Sequence, residues 1–484
     1  MTESDGVPAL LADLAASGIS LRMEGEALRF TAPAGAMTAE LRTRLQAAKP
    51  AMIAHLRHAA TRQPASLTQR RFWKLQQLDP DWPFYNVAFL FRLSGPLDPA
   101  RLQRAADAVV ARHDSLRTTL HDEDGRLMQH IAPSGGADFG LRDMVGADES
   151  AIRAALQTEL LRRYDLAHDR IFRLMLVRIE AETWMLQICL HNVVFDMASL
   201  LVLLDELSHH YGDLATPLPA PVQYDAFVAW QNARAATGMD QRRDYWRRFL
   251  AEGEPKPWSW PAITSPGTSP GTSPGGTGFR AVPTWTRLSP ARHLRLQEFC
   301  RAHGVTPAIA VLTAYFQAVS RFTGCQDLVI GTTWSDRDDQ RFAGMIGASI
   351  GVPAIRVDQS DAPPIATLLR RVREAVAGAV THQDLPIEEV IPRDRSGPLF
   401  RMVFTNFPST PHGRLRLRGL RVAWEEEELN PISRPQLYLV MWETPLPGGM
   451  GLTCHMMHRE DVWDAELAGR MMQHFEAALA GLVP

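Results

Sequence analysis

The stretch from residue 263 to residue 278, ITSPGTSPGTSPGGTG, repeats TSPG and offers almost no side chain that a core could use. Proline fixes φ, glycine frees it, and neither adds apolar area, so this segment reads as a flexible loop or linker. In a chain of 484 residues it separates two parts, 64–262 and 279–484, each large enough to bury its own core. Both parts carry two apolar periods. PARLQRAADAVVARH and TPAIAVLTAYFQAVSRF space their apolar residues for helices, whereas IFRLMLVRI, TWMLQICLHNVVF, DLVIGTTW and LYLVMW are runs of strand length. A mixed α/β (α+β) architecture in two halves follows.

The first 58 residues are expected to form a separate, very small unit. Leu10, Leu11, Leu14 and Ala15 share one helical face, with Gly18 as the stop. SLRMEGEALRF reads as a hairpin of Ser20–Glu24 and Ala27–Thr31 turning at Gly25. After a turn at Pro33 and Gly35 come one or two further helices divided at Pro50, giving an αββαα order. Such a unit has little room for a catalytic cleft and is expected to act as an adaptor.

Charge and cysteine usage exclude several classes. With 51 basic and 54 acidic side chains the formal net charge is −3, without the basic excess that non-specific nucleic-acid binding requires. No apolar run reaches bilayer length, and the N-terminal residues show no signal-peptide pattern. Four scattered cysteines without CxxC spacing imply a reducing, cytoplasmic setting and no zinc site. Within HNVVFDMAS, His191 ends an apolar strand five residues before Asp196. A histidine leaving a buried strand is placed either as a proton carrier or as a satisfied structural ring. His191 and Asp196 alone are too few ligands for a metal.

Wider context bears on that choice. SLTQRRFWKLQQL, RHDSLRTTL, HNVVFDM, QYDAFVAWQ, IGTTWSDR, HQDLPIEEV and RMVFTNFP follow one another over about 420 residues. In that order they resemble the condensation domains of non-ribosomal peptide synthetases. The resemblance implies two chloramphenicol-acetyltransferase-like halves in a V, facing each other across a tunnel. It also implies acyl transfer from a thioester to an amine or hydroxyl. No cofactor would be bound by the chain, and substrates would ride on the phosphopantetheine of donor and acceptor carrier proteins. LLADLAASGISL, EGEALRFTAPAGAMT and LQAAKPAMIAHL resemble TubC-type N-terminal docking domains. That resemblance implies capture of an upstream subunit's C-terminal peptide along the hairpin edge, with Arg22 and Arg29 meeting an acidic tail.

The chain departs from the family's HHxxxDG motif. Asn192 stands where the family has the histidine placed beside the acceptor, and Met197 stands where it has glycine. An amide accepts no proton at neutral pH, so Asn192 is expected to orient the nucleophile or donate to an oxyanion. His191 is expected beside it, either as loop support or, after rearrangement, as the base. Met197 is expected to disturb a loop whose family members keep it bare. Asp196 and Arg337 are expected to pair and hold that loop. By resemblance Met197, Trp334, Ser349, Gly351 and Asn406 would line the tunnel, with Ser349 and Gly351 replacing larger family residues. The alternative is a catalytically silent relative that recruits or spaces partners. His191 argues against the heterocyclising branch, which carries an aspartate there.

Overall fold

The computed structural model describes residues 10, 14, 19–24, 27–31, 37–51, 62–212, 217–251, 279–337, 339–385, 390, 401–426 and 430–483. Leu11, Ala15, Gly18, the Gly25 turn, Pro33, Gly35, any helix beyond Ala51 and the TSPG repeat lie outside them.

In the N-terminal unit, Leu10, Leu14 and Ile19 are buried together, with Leu41 and Leu45 of the helix Ala39–Ala47 packed against them. Thr38 starts that helix by accepting from the Leu41 N–H. Strands Ser20–Glu24 and Ala27–Thr31 pair antiparallel in a register that sets Arg22 opposite Arg29.

The larger region is mixed α/β, as expected. Its first part carries a five-stranded sheet ordered Arg421–Glu425, Asn86–Ser94, Thr183–His191, Phe172–Glu180, Asp138–Asp143. Strands Phe172–Glu180 and Thr183–His191 are buried along almost their whole length, so they read as continuous apolar runs rather than alternating ones. A two-residue connection at Ala181 and Glu182 joins them antiparallel. The second part carries a six-stranded sheet ordered Ala281–Leu288, Gly449–Arg459, Leu437–Leu446, Met402–Phe407, Asp327–Thr332, Ala354–Asp358. Helix Pro307–Thr323 lies in the middle of this core. Thr306 caps its start, proline occupies its first turn and Gly324, at φ 74°, ends it.

Packing divides the molecule differently from the linker. Trp246, on helix Met239–Ala251 ahead of the TSPG repeat, is buried in the second core, and its Nε1–H donates to the His382 carbonyl at 3.1 Å. In return Ile346, Leu415 and Leu417 are buried in the first core. Strand Arg421–Glu425 adds to the first sheet by pairing with Asn86–Ser94. Composition marks where a chain cannot pack, while core membership is set by which apolar faces meet. Trp246→Ala is expected to cost about 3–5 kcal/mol, read as a lowered urea midpoint, because a fully buried indole is removed.

Candidate active site

Strand Thr183–His191 carries His191 to the sheet's end, opposite Asn86. Tyr85 and Tyr164 present ring edges to the imidazole, at centroid distances of 6.1 and 5.9 Å. His191 Nδ1 accepts the Val193 N–H at 3.1 Å, so its remaining proton sits on Nε2. Burial, helped by the cationic Arg173 nearby, pushes the ring's pKa down to about 3. His191 is thus a neutral ring committed to holding the turn that follows it. Asn192 comes next and is half-buried, its backbone N–H donating to the Tyr85 carbonyl at 2.9 Å. The Cys189 thiol, two residues earlier, is buried and pushed up to about 12, so it stays protonated.

Asp196 is buried and caps helix Met197–Tyr211. Its Oδ1 accepts from the Ser199 N–H at 2.8 Å, the Ser199 hydroxyl at 2.7 Å and Arg337 at 2.8 Å. Its Oδ2 accepts from Arg337 Nε at 2.9 Å, the Ser349 N–H at 3.2 Å and the Ser349 hydroxyl at 2.5 Å. Arg337 spends its other donors on the carbonyls of Phe342, Met345 and Gly347 and on the Ser199 hydroxyl. Met197 is the first helical residue after this cap, with no positive φ, and packs half-buried against the first core. A side chain at that position therefore does not distort the loop, contrary to the expectation from the family's glycine.

Residues from distant motifs converge here. Tyr224 donates to the Ala348 carbonyl at 2.6 Å and lies 2.8 Å from the Ser66 hydroxyl. A Cβ on Gly347 would stand 2.1 Å from the Tyr224 ring, so only glycine fits between them. Arg234 binds both Asp336, the neighbour of Arg337, and Asp384 of the HQD segment, and Arg242 also reaches Asp384 at 3.0 Å. The sequence makes these motifs visible but does not mark Ser199, Tyr224, Arg234 or Asp384 as functional. Their only signal is that each lies within or just beyond one of the motifs.

Ser349 is buried on Asp196, and Gly351 pairs across a short ladder with Trp334. Trp334 is half-buried against the second core. Asn406 is half-buried on strand Met402–Phe407, level with Met441 of the parallel neighbour. Ser349 and Gly351 border one cavity, whereas Asn406 and Trp334 are not among its walls.

Comparison with known proteins bears on this arrangement. The model of the condensation domain matches residues 59–483, and that of the TubC N-terminal docking domain matches residues 7–58. The chain belongs to the condensation-domain family, with a TubC-type docking domain ahead of the condensation domain. It is 30% identical over 428 residues to one subunit of the linear gramicidin synthase of Brevibacillus parabrevis, covering 85% of this chain and 8% of that protein. It is 29% identical over 440 residues to chondramide synthase cmdD of Chondromyces crocatus, covering 87% of this chain and 11% of that one. The chain thus spans only about a tenth of the length of these curated relatives. The X-domain from teicoplanin biosynthesis superimposes with a TM-score of 0.73 at 23% identity, covering 87% of this chain and 94% of that one. The structure titled for condensation domain-mediated chain release from the enacyloxin polyketide synthase covers 100% of this chain and 98% of its own, with a TM-score of 0.64 and 23% identity. At such identity these structures establish the fold.

Two outcomes follow. Arg337→Ala is expected to lower stability by about 3–5 kcal/mol in chemical denaturation, because it strands a buried carboxylate. The second concerns pH. His191 and His455 are pushed down to about 3, and His458 to about 4, all by burial. The unfolded chain binds these protons near pH 6.5 and the folded chain does not, so stability falls as pH drops from about 6.5 toward those values. Each ring contributes up to ~1.4 kcal/mol per pH unit, and urea midpoints at pH 7.5 and 5.5 read the slope.

Proposed function

We propose that the chain is a condensation-type acyltransferase of a non-ribosomal peptide or hybrid assembly line, with an HNxxxDM motif in place of HHxxxDG. The observation that carries this reading is the completeness of the loop's support. Asp196, Arg337 and Ser199 are bonded throughout, and neutral His191 braces the turn presenting Asn192. In the proposed reaction an amine or hydroxyl on an acceptor carrier attacks a thioester on a donor carrier. The new C–N or C–O bond replaces the C–S bond, and the departing thiolate takes up the proton that the nucleophile loses. Asn192 would orient the nucleophile or donate to the oxyanion. Base assistance is worth ~10²–10⁴-fold, so a site relying on positioning is slower yet competent. His191 supports the loop, because its proton affinity is too low for a base in this conformation. Trp334, Ser349, Gly351, Met197 and Asn406 belong to the proposed tunnel region.

The partners in this reading are two carrier proteins, whose phosphopantetheine arms bring the substrates, and an upstream subunit. The acidic C-terminal tail of that subunit would pair along the Ser20–Glu24 and Ala27–Thr31 hairpin, where Arg22 and Arg29 share one rung. Among the described residues no helix is long and apolar enough to cross a membrane, and a cytoplasmic setting is part of the proposal. The second reading, a silent domain that recruits partners, is favoured by the lack of an ionisable group at Asn192.

An intact-mass assay with loaded carrier proteins separates the two. The acyltransferase reading expects product from the wild type, a loss of ~10²–10³-fold for Asn192→Ala as for removal of an oxyanion donor, and a faster Asn192→His. Carrier binding without any product would establish the silent reading instead.

A further inference from the structure

Helix Leu67–Leu78, strand Ile350–Gly351 and the segment 383–385 border a cavity of about 40 Å³. A single water needs ~10–15 Å³, so the space suits a group of about three or four non-hydrogen atoms. The cavity is separate from the Asn192 turn yet joined to it, since Ser349 lines the one and donates to Asp196 in the other.

Its lining defines a chemistry. Leu67, Trp246, Ile350 and Leu385 supply apolar walls. The charged groups at its border are already engaged. Asp336 and Asp384 are held by Arg234, Arg242 adds to Asp384, and Arg71 has a partner of its own. A cationic ligand would therefore lose its hydration without an open carboxylate to meet it. An uncharged polar group also borders the space, the Gln383 amide, which both donates and accepts. A Cβ on Gly351 would stand 2.7 Å from Gln383 Oε1. The missing side chain at 351 is what lets the Gln383 amide occupy that wall.

We infer that this cavity is a substrate subsite for a small neutral amide, with Gly351 and Gln383 as its specificity-determining residues. Its role as a substrate subsite rests on the acyl-transfer reading. Two sources share the chemistry: a primary carboxamide on a substrate side chain, and the secondary amide of a peptide or carrier arm.

Ligand-observed NMR titration of the full chain tests this with formamide, formate and formamidinium, which share one shape and differ in charge. Formamide is expected to bind, with each charged isostere at least tenfold weaker. N-methylformamide serves as the secondary amide, and the tighter of the two amides identifies the source. Gly351→Val fills the space and Gln383→Met removes the amide at similar length. Each is expected to weaken amide binding at least fivefold in a chain whose circular dichroism matches the wild type. Should the valine variant fail to fold, the methionine variant carries the test alone. Equal binding of the three isosteres, absence of amide binding, or amide binding unchanged in a folded variant overturns the inference. Amide binding by a chain that forms no condensed product would defeat the acyl-transfer reading while the ligand site stands. Product without amide binding would defeat the subsite alone.

Discussion

Asp196 and Arg337 meet in the interior, where removing two charges from water is tolerable only if every lone pair and N–H finds a partner. Each condition is met by a different stretch of chain. Ser199 comes from the helix that Asp196 caps, Ser349 from the segment just ahead of a short strand, and the carbonyls of Phe342, Met345 and Gly347 from the turn between Arg337 and that strand. The ion pair thereby determines where the Asn192 turn lies relative to the second half. Glycine stands at 347 because the Tyr224 ring closes over the same backbone.

The histidine beside Asn192 shows how location decides chemistry. In water an imidazole titrates near neutral pH, but His191 lies between two tyrosine edges with Nδ1 already accepting a backbone N–H. Such a ring holds a turn well and takes up a proton poorly. The turn is held by that hydrogen bond, and the next residue in it is Asn192, whose backbone N–H donates to the Tyr85 carbonyl. In the acyl-transfer proposal the rate would come from placement and hydrogen bonding.

Much of the secondary structure was legible. The alternating SLRME and ALRFT segments form the two strands at the expected bounds, and the helices from Pro99 and Pro307 begin where an N-cap residue precedes a proline. The pairing of Asp196 with Arg337 was legible only through family resemblance, since 141 positions separate them and no local rule joins them. Met197 shows the opposite outcome. Its place in the motif implied strain, but the residue after an N-cap takes ordinary helical angles, so a side chain is tolerated. Arg234 went unnoticed because a single arginine at a helix end carries no local sign that two distant aspartates will meet it.

By itself the sequence determined the local alternation of strands and helices, their caps and stops, and the family, because these depend on neighbouring residues or on motifs in order. Tertiary structure alone decided that Trp246 crosses into the second core and Leu415 and Leu417 into the first. It alone made His191 neutral, gave both carboxylate oxygens of Asp196 their donors, and brought Gln383 against Gly351. Each of these depends on burial and on contacts between residues far apart in the chain, and no periodicity or spacing in the sequence encodes either.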